Sequence, residues 1–385
     1  MGLRGMTTPR SDRPGYWIWT LSTVLVCLMA FAAILVRNYF PHTYLIGDSP
    51  YYAAAAASLV GDGDLKVENN LRGGLQRHSG FVSLGADGEW RPKHPILMSV
   101  TSVPFVMVFG VVGLLVFNVL VMTLLVMATH RLALRASGPV SATVATLVTC
   151  LLTFVLAYLY NYSPDAFGAL FAVVALIFLL DGKSLGAGLL AGLALAAKPA
   201  HILFVMVGLL AVWHQGGRRQ AMRFAAGVLP AVTALMIYNA ILFGGPLLTG
   251  YDRILEADPV PRTVSQRSDF TLAGAPENLL WEILDEKHGL LYTAPSVLVG
   301  LAGLLALWRR RPLLAVLPSC LLVAYLLFFA TFIPWRASHY GNRYLLVPVM
   351  VSVLPLAALF HQAGRRRRVS SPRTTSLAAG SPAAL

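Results

Sequence analysis

Apolar residues in this chain come in long blocks rather than in alternating or heptad patterns, and the polar residues collect in the gaps. A hydrocarbon core of roughly 30 Å needs about 20 helical residues. Runs of that order lie at 16–36, 111–129, 140–160, 224–243, 289–308 and 312–333, with shorter ones at 166–180 and 344–360. The region 185–213 is apolar for longer than one helix needs, and Lys198-Pro199 interrupts it. Proline lacks a backbone donor and the residue before it avoids helix, so the pattern predicts two short helices meeting at that dipeptide. Ten crossings follow.

Composition agrees with the pattern. The chain is 57% hydrophobic and 12% charged, with a mean hydropathy of +0.67, far from the usual soluble domain. The expected class is an all-α polytopic membrane protein. Cys27, Cys150 and Cys320 all fall inside apolar runs, which excludes a disulfide framework and any CxxC or zinc-type spacing. No metal or cofactor is expected.

The formal charge of +13 would suggest nucleic acid on a soluble surface, but its placement argues against that partner. Ten crossings put both termini on one side. That side would hold 17 basic residues, among them Arg131, Arg135, Lys183, Arg218, Arg219, Arg223, Arg309 to Arg311 and Arg365 to Arg368, against two acids, Asp12 and Asp181. The other side would hold the remaining 13 basic residues and 15 acids. The positive-inside rule makes the first side the cytoplasm of a plasma (inner) membrane. One transmembrane domain over 1–363 is expected, with 364–385 a disordered basic cytoplasmic tail able to lie on anionic lipid. The first apolar run is too long for a typical cleaved signal and reads as an anchor.

Two long external loops result, 38 to about 95 and 244–288, and they hold nearly all the acids. The first contains GDSPYYAAAAASLVGDGD (47–64). Pro50 suits a first helical turn, with Asp48 or Ser49 as cap and a juxtamembrane helix over 51–60. Tyr51 and Tyr52 read as interfacial aromatics or as a sugar-stacking pair. Further on, GADGEWRPKHPIL (85–97) brings Arg91, Lys93 and His94 to the surface, and FIPWRASHYGNRYLLVP (332–348) places Arg336, His339 and Arg343 outside, against the charge rule. Basic side chains often only snorkel to headgroups. In a short loop that breaks the rule they also point to an anionic partner such as phosphate. Lys198 and His201 sit at the turn of the broken helix, where irregular backbone is tolerated only against protein or a cavity. Asp165, opening the run at 166–180, reads equally as a helix cap.

Other motifs carry less. Gly182-Lys183-Ser184 lacks the upstream glycine of a phosphate loop, Gly186, Gly188 and Gly192 suit close helix packing in lipid, and Asn161-Tyr162-Ser163 is a formal glycosylation sequon.

Taken in order, GDSPYYAAAAASL, DGEWRPKHPIL, NYSPDAFGALF, GLLAGLALAAKPAHIL, YNAILFGGPLLTGY and HYGNRYLLVP resemble the GT-C superfamily of membrane glycosyltransferases, on the branch of the protein O-mannosyltransferases and lipid A aminoarabinose transferases. The resemblance implies a polyprenyl-phosphate sugar donor, a glycan, lipid or protein acceptor with a free hydroxyl, and inverting transfer at the external face. An Asp of the first external loop is the catalytic base, a role that falls on Asp48. The donor-phosphate cradle is then expected at Lys93, His94, Arg336, His339 and Arg343, with Asp165, Lys198, Tyr51 and Tyr52 orienting the acceptor. Many relatives follow that Asp with a second acid, and this chain has Ser49. Two competing expectations are a polyprenyl-lipid transporter or flippase, which would show inverted repeats and mid-membrane charges, and a non-catalytic lipid-binding relative.

Overall fold

The structure is a computed structural model, which describes residues 14–38, 45, 47–159, 161–257, 263–265, 270–336 and 341–370. Helix α1 (Pro14–Asn38) carries the first apolar run. The first loop then folds into α2 (Ser49–Gly61), the single turn α3 (Leu75–His78) and two short strands, β1 (Val82–Leu84) and β2 (Trp90–Pro92). Helix α4 (Leu97–Phe109) follows, an apolar helix outside the ten expected crossings, and Gly110 at φ 59° turns the chain into α5 (Val112–Ala133).

The run at 140–160 does not continue as one helix. Helix α6 (Pro139–Leu151) ends there and Phe154–Leu159 forms a 3-10 segment. Next come α7 (Pro164–Leu180) and α8 (Ser184–Ala197). The predicted break falls at Lys198, which is extended (φ −151°, ψ 116°), before a 3-10 turn at Pro199–His201 and α9 (Ile202–Phe243). Gly217 at φ 64° breaks α9 internally, dividing it between the two runs expected there.

The second loop holds β3 (Ile254–Glu256), β4 (Thr263–Ser265) and α10 (Ala275–Leu284), and leads through α11 (Leu290–Thr293) into α12 (Pro295–Arg310). Helix α13 (Pro312–Ala330), the turns Ile333–Arg336 and Arg343–Leu345, α14 (Leu346–Val351) and α15 (Val353–Ser370) complete the described chain. Helix α15 runs through 364 to Ser370, further than the tail boundary expected from sequence. A run of arginines at a helix C-terminus is favoured by the helix dipole. The remainder of the expected tail, 371–385, lies outside the described residues.

Among the described residues five helical segments are long and apolar enough to cross a membrane: Gly15–Val36, Val112–Ala133, Pro199–Phe243, Pro312–Ala330 and Arg343–Arg365. Five shorter apolar helices accompany them. The chain is a polytopic membrane protein, and the count of ten crossings remains an expectation.

Small residues bring the helices together. A Cβ at Gly188 would fall 2.0 Å from the Phe224 carbonyl oxygen, and one at Gly227 would fall 2.2 Å from that of Leu185. Helices α8 and α9 therefore cross backbone to backbone, as small residues permit in lipid.

The two long loops share one sheet of order β2-β1-β3-β4, antiparallel throughout, with Ser83 opposite both Arg91 and Ile254. Asp87-Gly88, with Gly88 at φ 82°, turns β1 into β2. Ser83 Oγ donates to the Gly250 carbonyl at 2.5 Å, and Arg253 Nε donates to that of Leu84 at 2.8 Å. Beneath the sheet Ala54, Ala55, Val67, Val82 and Leu255 form a core separate from that of the helix bundle.

Candidate active site

Asp48 occupies the N-cap position of α2, yet its carboxylate accepts no capping hydrogen bond. Gly47 at φ 58° turns the chain into this position, and Pro50 supplies a first helical residue with no N–H to satisfy. The side chain points instead to Arg343, whose Nη1 donates to Asp48 Oδ2 at 2.7 Å. Both side chains are mostly buried, at 14% and 16% exposure. Ser49, where relatives carry a second acid, faces away from this pair and donates to Asn161 Oδ1 at 2.8 Å.

A second ion pair stands beside the first. Lys198 and Asp165 are in direct contact, and Asp165 Oδ2 accepts from Ser163 Oγ at 3.0 Å. The ring of Tyr344 joins the two pairs: Lys198 Nζ lies 4.4 Å from its centroid and the Arg343 guanidinium 5.1 Å, each a cation over an aromatic ring. Arg343 Nη2 also donates to the Tyr344 hydroxyl at 3.1 Å, while Arg343 Nε is buried with no acceptor among the described residues. A buried donor without a partner costs free energy and is a natural place for an incoming anion.

The sheet supplies the other wall. Lys93 Nζ donates to the Gly80 carbonyl at 2.7 Å and lies 5.6 Å from the Phe81 ring and 5.7 Å from that of Tyr251. His94 shares a 2.7 Å hydrogen bond between Nδ1 and the Tyr251 hydroxyl, and its ring stacks on Tyr52 at 5.0 Å. Burial, reinforced by the charge of Lys93, pushes His94 down to about 3, so it is a neutral imidazole at physiological pH. It orients neighbours and does not add a positive charge to a phosphate cradle. For Asp48, burial works to raise the carboxyl, but the charge and hydrogen bond of Arg343, aided by its other basic neighbours, outweigh it and hold the group below its ordinary value.

Several expected residues lie elsewhere. Arg336 pairs with Asp285 at 3.3 Å and covers Trp335 and Trp281, because α10 ends at Asp285 beside that turn. His339 lies outside the described residues. Tyr51 stacks on Phe81 at 4.9 Å, and its hydroxyl shares a 3.3 Å hydrogen bond with His78 Nδ1. Tyr52 is buried between His94 and Tyr162. The first loop folds back over α2, burying Tyr52 and leaving Tyr51 half-buried. His201, near Lys198 in sequence, shares a 2.8 Å hydrogen bond with Tyr325.

Two further residues belong to this site that the sequence did not single out, Tyr251 of the second long loop and Tyr344. The signal for Tyr344 was its place directly after Arg343 in a loop rich in cations. Among the described residues no three His, Cys, Asp or Glu side chains gather closely enough to hold a metal ion.

No family model matches this sequence, and no curated protein matches it. The likeness lies in the fold, which this chain shares with solved structures of two other proteins. The crystal structure of ArnT from Cupriavidus metallidurans bound to undecaprenyl phosphate is similar over 90% of this chain and 60% of that one, at 15% identity and a TM-score of 0.53. Its apo form matches over 89% and 59%, at 16% identity and 0.50. An oligosaccharyltransferase from Archaeoglobus fulgidus, in the apo form, matches over 91% and 52%, at 11% identity and 0.53. The chain thus spans about 60% of the length of ArnT.

Proposed function

We propose that this protein is an integral membrane glycosyltransferase that moves a sugar from a polyprenyl-phosphate donor to an acceptor hydroxyl at the external membrane face, with Asp48 as general base. The observation that carries the reading is the Asp48 carboxylate itself. It stands at a helix start without capping it, and it is held by an arginine that keeps one buried donor unsatisfied. The GT-C fold and the undecaprenyl phosphate bound by ArnT add support.

In this mechanism the acceptor oxygen forms a bond to the anomeric carbon while the bond from that carbon to the phosphate oxygen breaks on the opposite face, inverting the configuration. Asp48 takes the hydroxyl proton, and polyprenyl phosphate leaves with the electron pair. Arg343 and Lys93 stabilise the negative charge that develops on the leaving phosphate. Donor phosphate drawing on Arg343 weakens the charge that depresses Asp48, so the carboxylate becomes a better base when donor is bound. Asp165 keeps Lys198 in place beside Tyr344, and so supports Arg343 from behind.

The test compares the envelope glycolipids and glycans of cells carrying wild-type protein or Asp48→Asn by mass spectrometry, with protein levels in the membrane matched. Loss of a general base lowers the rate by about 10²–10⁴-fold, so one sugar modification should vanish with Asp48→Asn. A full set of modified products from Asp48→Asn would remove Asp48 from the role. A modification already missing from the wild-type strain would remove the enzyme reading altogether.

A further inference from the structure

At the other end of the helix bundle, where α1 begins and α12 and α15 run out, a cavity of about 670 Å³ opens among four separate elements. Its walls are Tyr16 of α1, the turn Ala136 to Gly138 between α5 and α6, one face of α12, and Ala358, His361 and Gln362 of α15. Helices α12 and α15 touch where a Cβ on Gly303 would fall 1.9 Å from the Pro355 carbonyl oxygen. Beyond that contact the space opens.

The lining changes character along α12. Ala302, Leu305 and Ala306 line one side of the cavity, and Leu305 is 74% exposed. Arg309 and Arg311 line it too, and no Asp or Glu is among the lining residues. Asp181, the nearby acid, is taken by Arg135, with Nη2 donating to Oδ2 at 3.0 Å. Arg311 is anchored, donating from Nη1 to the Arg135 carbonyl. Arg309 has no acidic partner among the described residues. Gly138 is also the uncapped N-cap of the 13-residue helix α6. The positive end of that helix dipole therefore lies beside the cavity.

A cavity with an apolar strip along α12, polar groups from the facing elements and two arginines fits an amphiphile with an anionic head. We infer that it binds an anionic phospholipid, with the phosphodiester headgroup on Arg309, Arg311 and the start of α6, and an acyl chain along Ala302, Leu305 and Ala358. This site is independent of the proposed sugar transfer and lies at the end of the bundle away from Asp48.

Native mass spectrometry of the full chain, purified in detergent and mixed with phosphatidylglycerol or phosphatidylcholine of identical acyl chains, tests it. Two arginines near a headgroup should give about a tenfold or greater preference for phosphatidylglycerol. Arg309→Gln should remove most of that preference, and Arg309→Gln with Arg311→Gln should remove the rest. Because Arg309 is exposed and has no acidic partner among the described residues, the single variant reports even if the double variant fails to fold. Arg218→Gln takes the same charge from an exposed position elsewhere and should keep the preference. Equal retention of the two lipids, indifference to Arg309→Gln, or an equal loss in Arg218→Gln would overturn the assignment. Displacement of phosphatidylglycerol by millimolar inorganic phosphate would overturn it in favour of a soluble phosphate ligand.

Discussion

Arg343 reaches across 295 positions of the chain to place its Nη1 2.7 Å from Asp48 Oδ2, so the first long loop and the segment before the last helices meet in one ion pair. Removing the arginine leaves burial to act on the carboxyl with less opposition. The sign is fixed. Asp48 is lowered in the folded protein, so its pairing stabilises the fold above the ordinary carboxylate range, and that contribution is lost as pH falls through the lowered value. With Arg343→Gln the acidic limb of the activity profile should move to higher pH, and Arg343→Lys should move it less. Transfer rates measured from pH 4 to 8 check this, and an unmoved limb would separate Asp48 from the titrating base.

His94 is expected to be silent in the same profile. Burial and Lys93 push it down to about 3, well under its ordinary value of roughly 6.5. Any inflection between pH 5.5 and 7.5 should therefore survive His94→Gln, which keeps a polar group for the Tyr251 hydroxyl. Disappearance of such an inflection in that variant would show a protonated His94.

Gly250 lies against Lys93, the residue directly after β2. A Cβ at this position would sit 2.3 Å from the Lys93 carbonyl oxygen and 2.8 Å from its Cα, a backbone clash no rotamer relieves. Gly250→Ala should cost about 1–3 kcal/mol and lower transfer, because it pushes Lys93 and Tyr251 apart. Thermal unfolding in detergent measures the first effect, and an unchanged midpoint with full activity would mean the two segments separate freely.

Glu282 of α10 is fully buried. Its Oε1 is 3.4 Å from Asn342 Nδ2, while Oε2 has no partner. Burial pushes it up to about 8, with Asn342 opposing. For a carboxyl raised on folding, the folded state holds more protons than the unfolded one. Stability therefore falls as pH rises from the ordinary glutamate range toward 8. Glu282→Gln escapes this cost, so its advantage in melting temperature over wild type should grow between pH 5 and 8. A constant difference would mean Glu282 is ionised throughout.

Much of this was legible before the structure, and for physical reasons. Pro50 and the alanines after it announced α2, Lys198-Pro199 announced the helix break, and Arg343 betrayed itself as a cation on the wrong side. The sheet was not legible. Its strands are three residues each, too short to show alternation, and β1 pairs with a strand about 170 positions further along. The surroundings of Arg336 and His94 were not legible for a related reason. A cation's role depends on the acid that reaches it, here Asp285, and a histidine's charge depends on burial, and neither is written in local sequence. The two tyrosines of the first loop read as interfacial because nothing in their own segment says that residues 78–94 fold back over them.

The sheet built from both long loops has a consequence for engineering and for descent. Since β1 of the first loop is bonded to β3 of the second, and Ser83 and Arg253 fasten the same seam, neither loop is a module. A chimera that borrows the second loop from a relative to change acceptor preference would inherit strands of foreign register against β1, and would disturb the wall on which Lys93 sits. Exchange of specificity between such proteins should succeed only when both loops travel together.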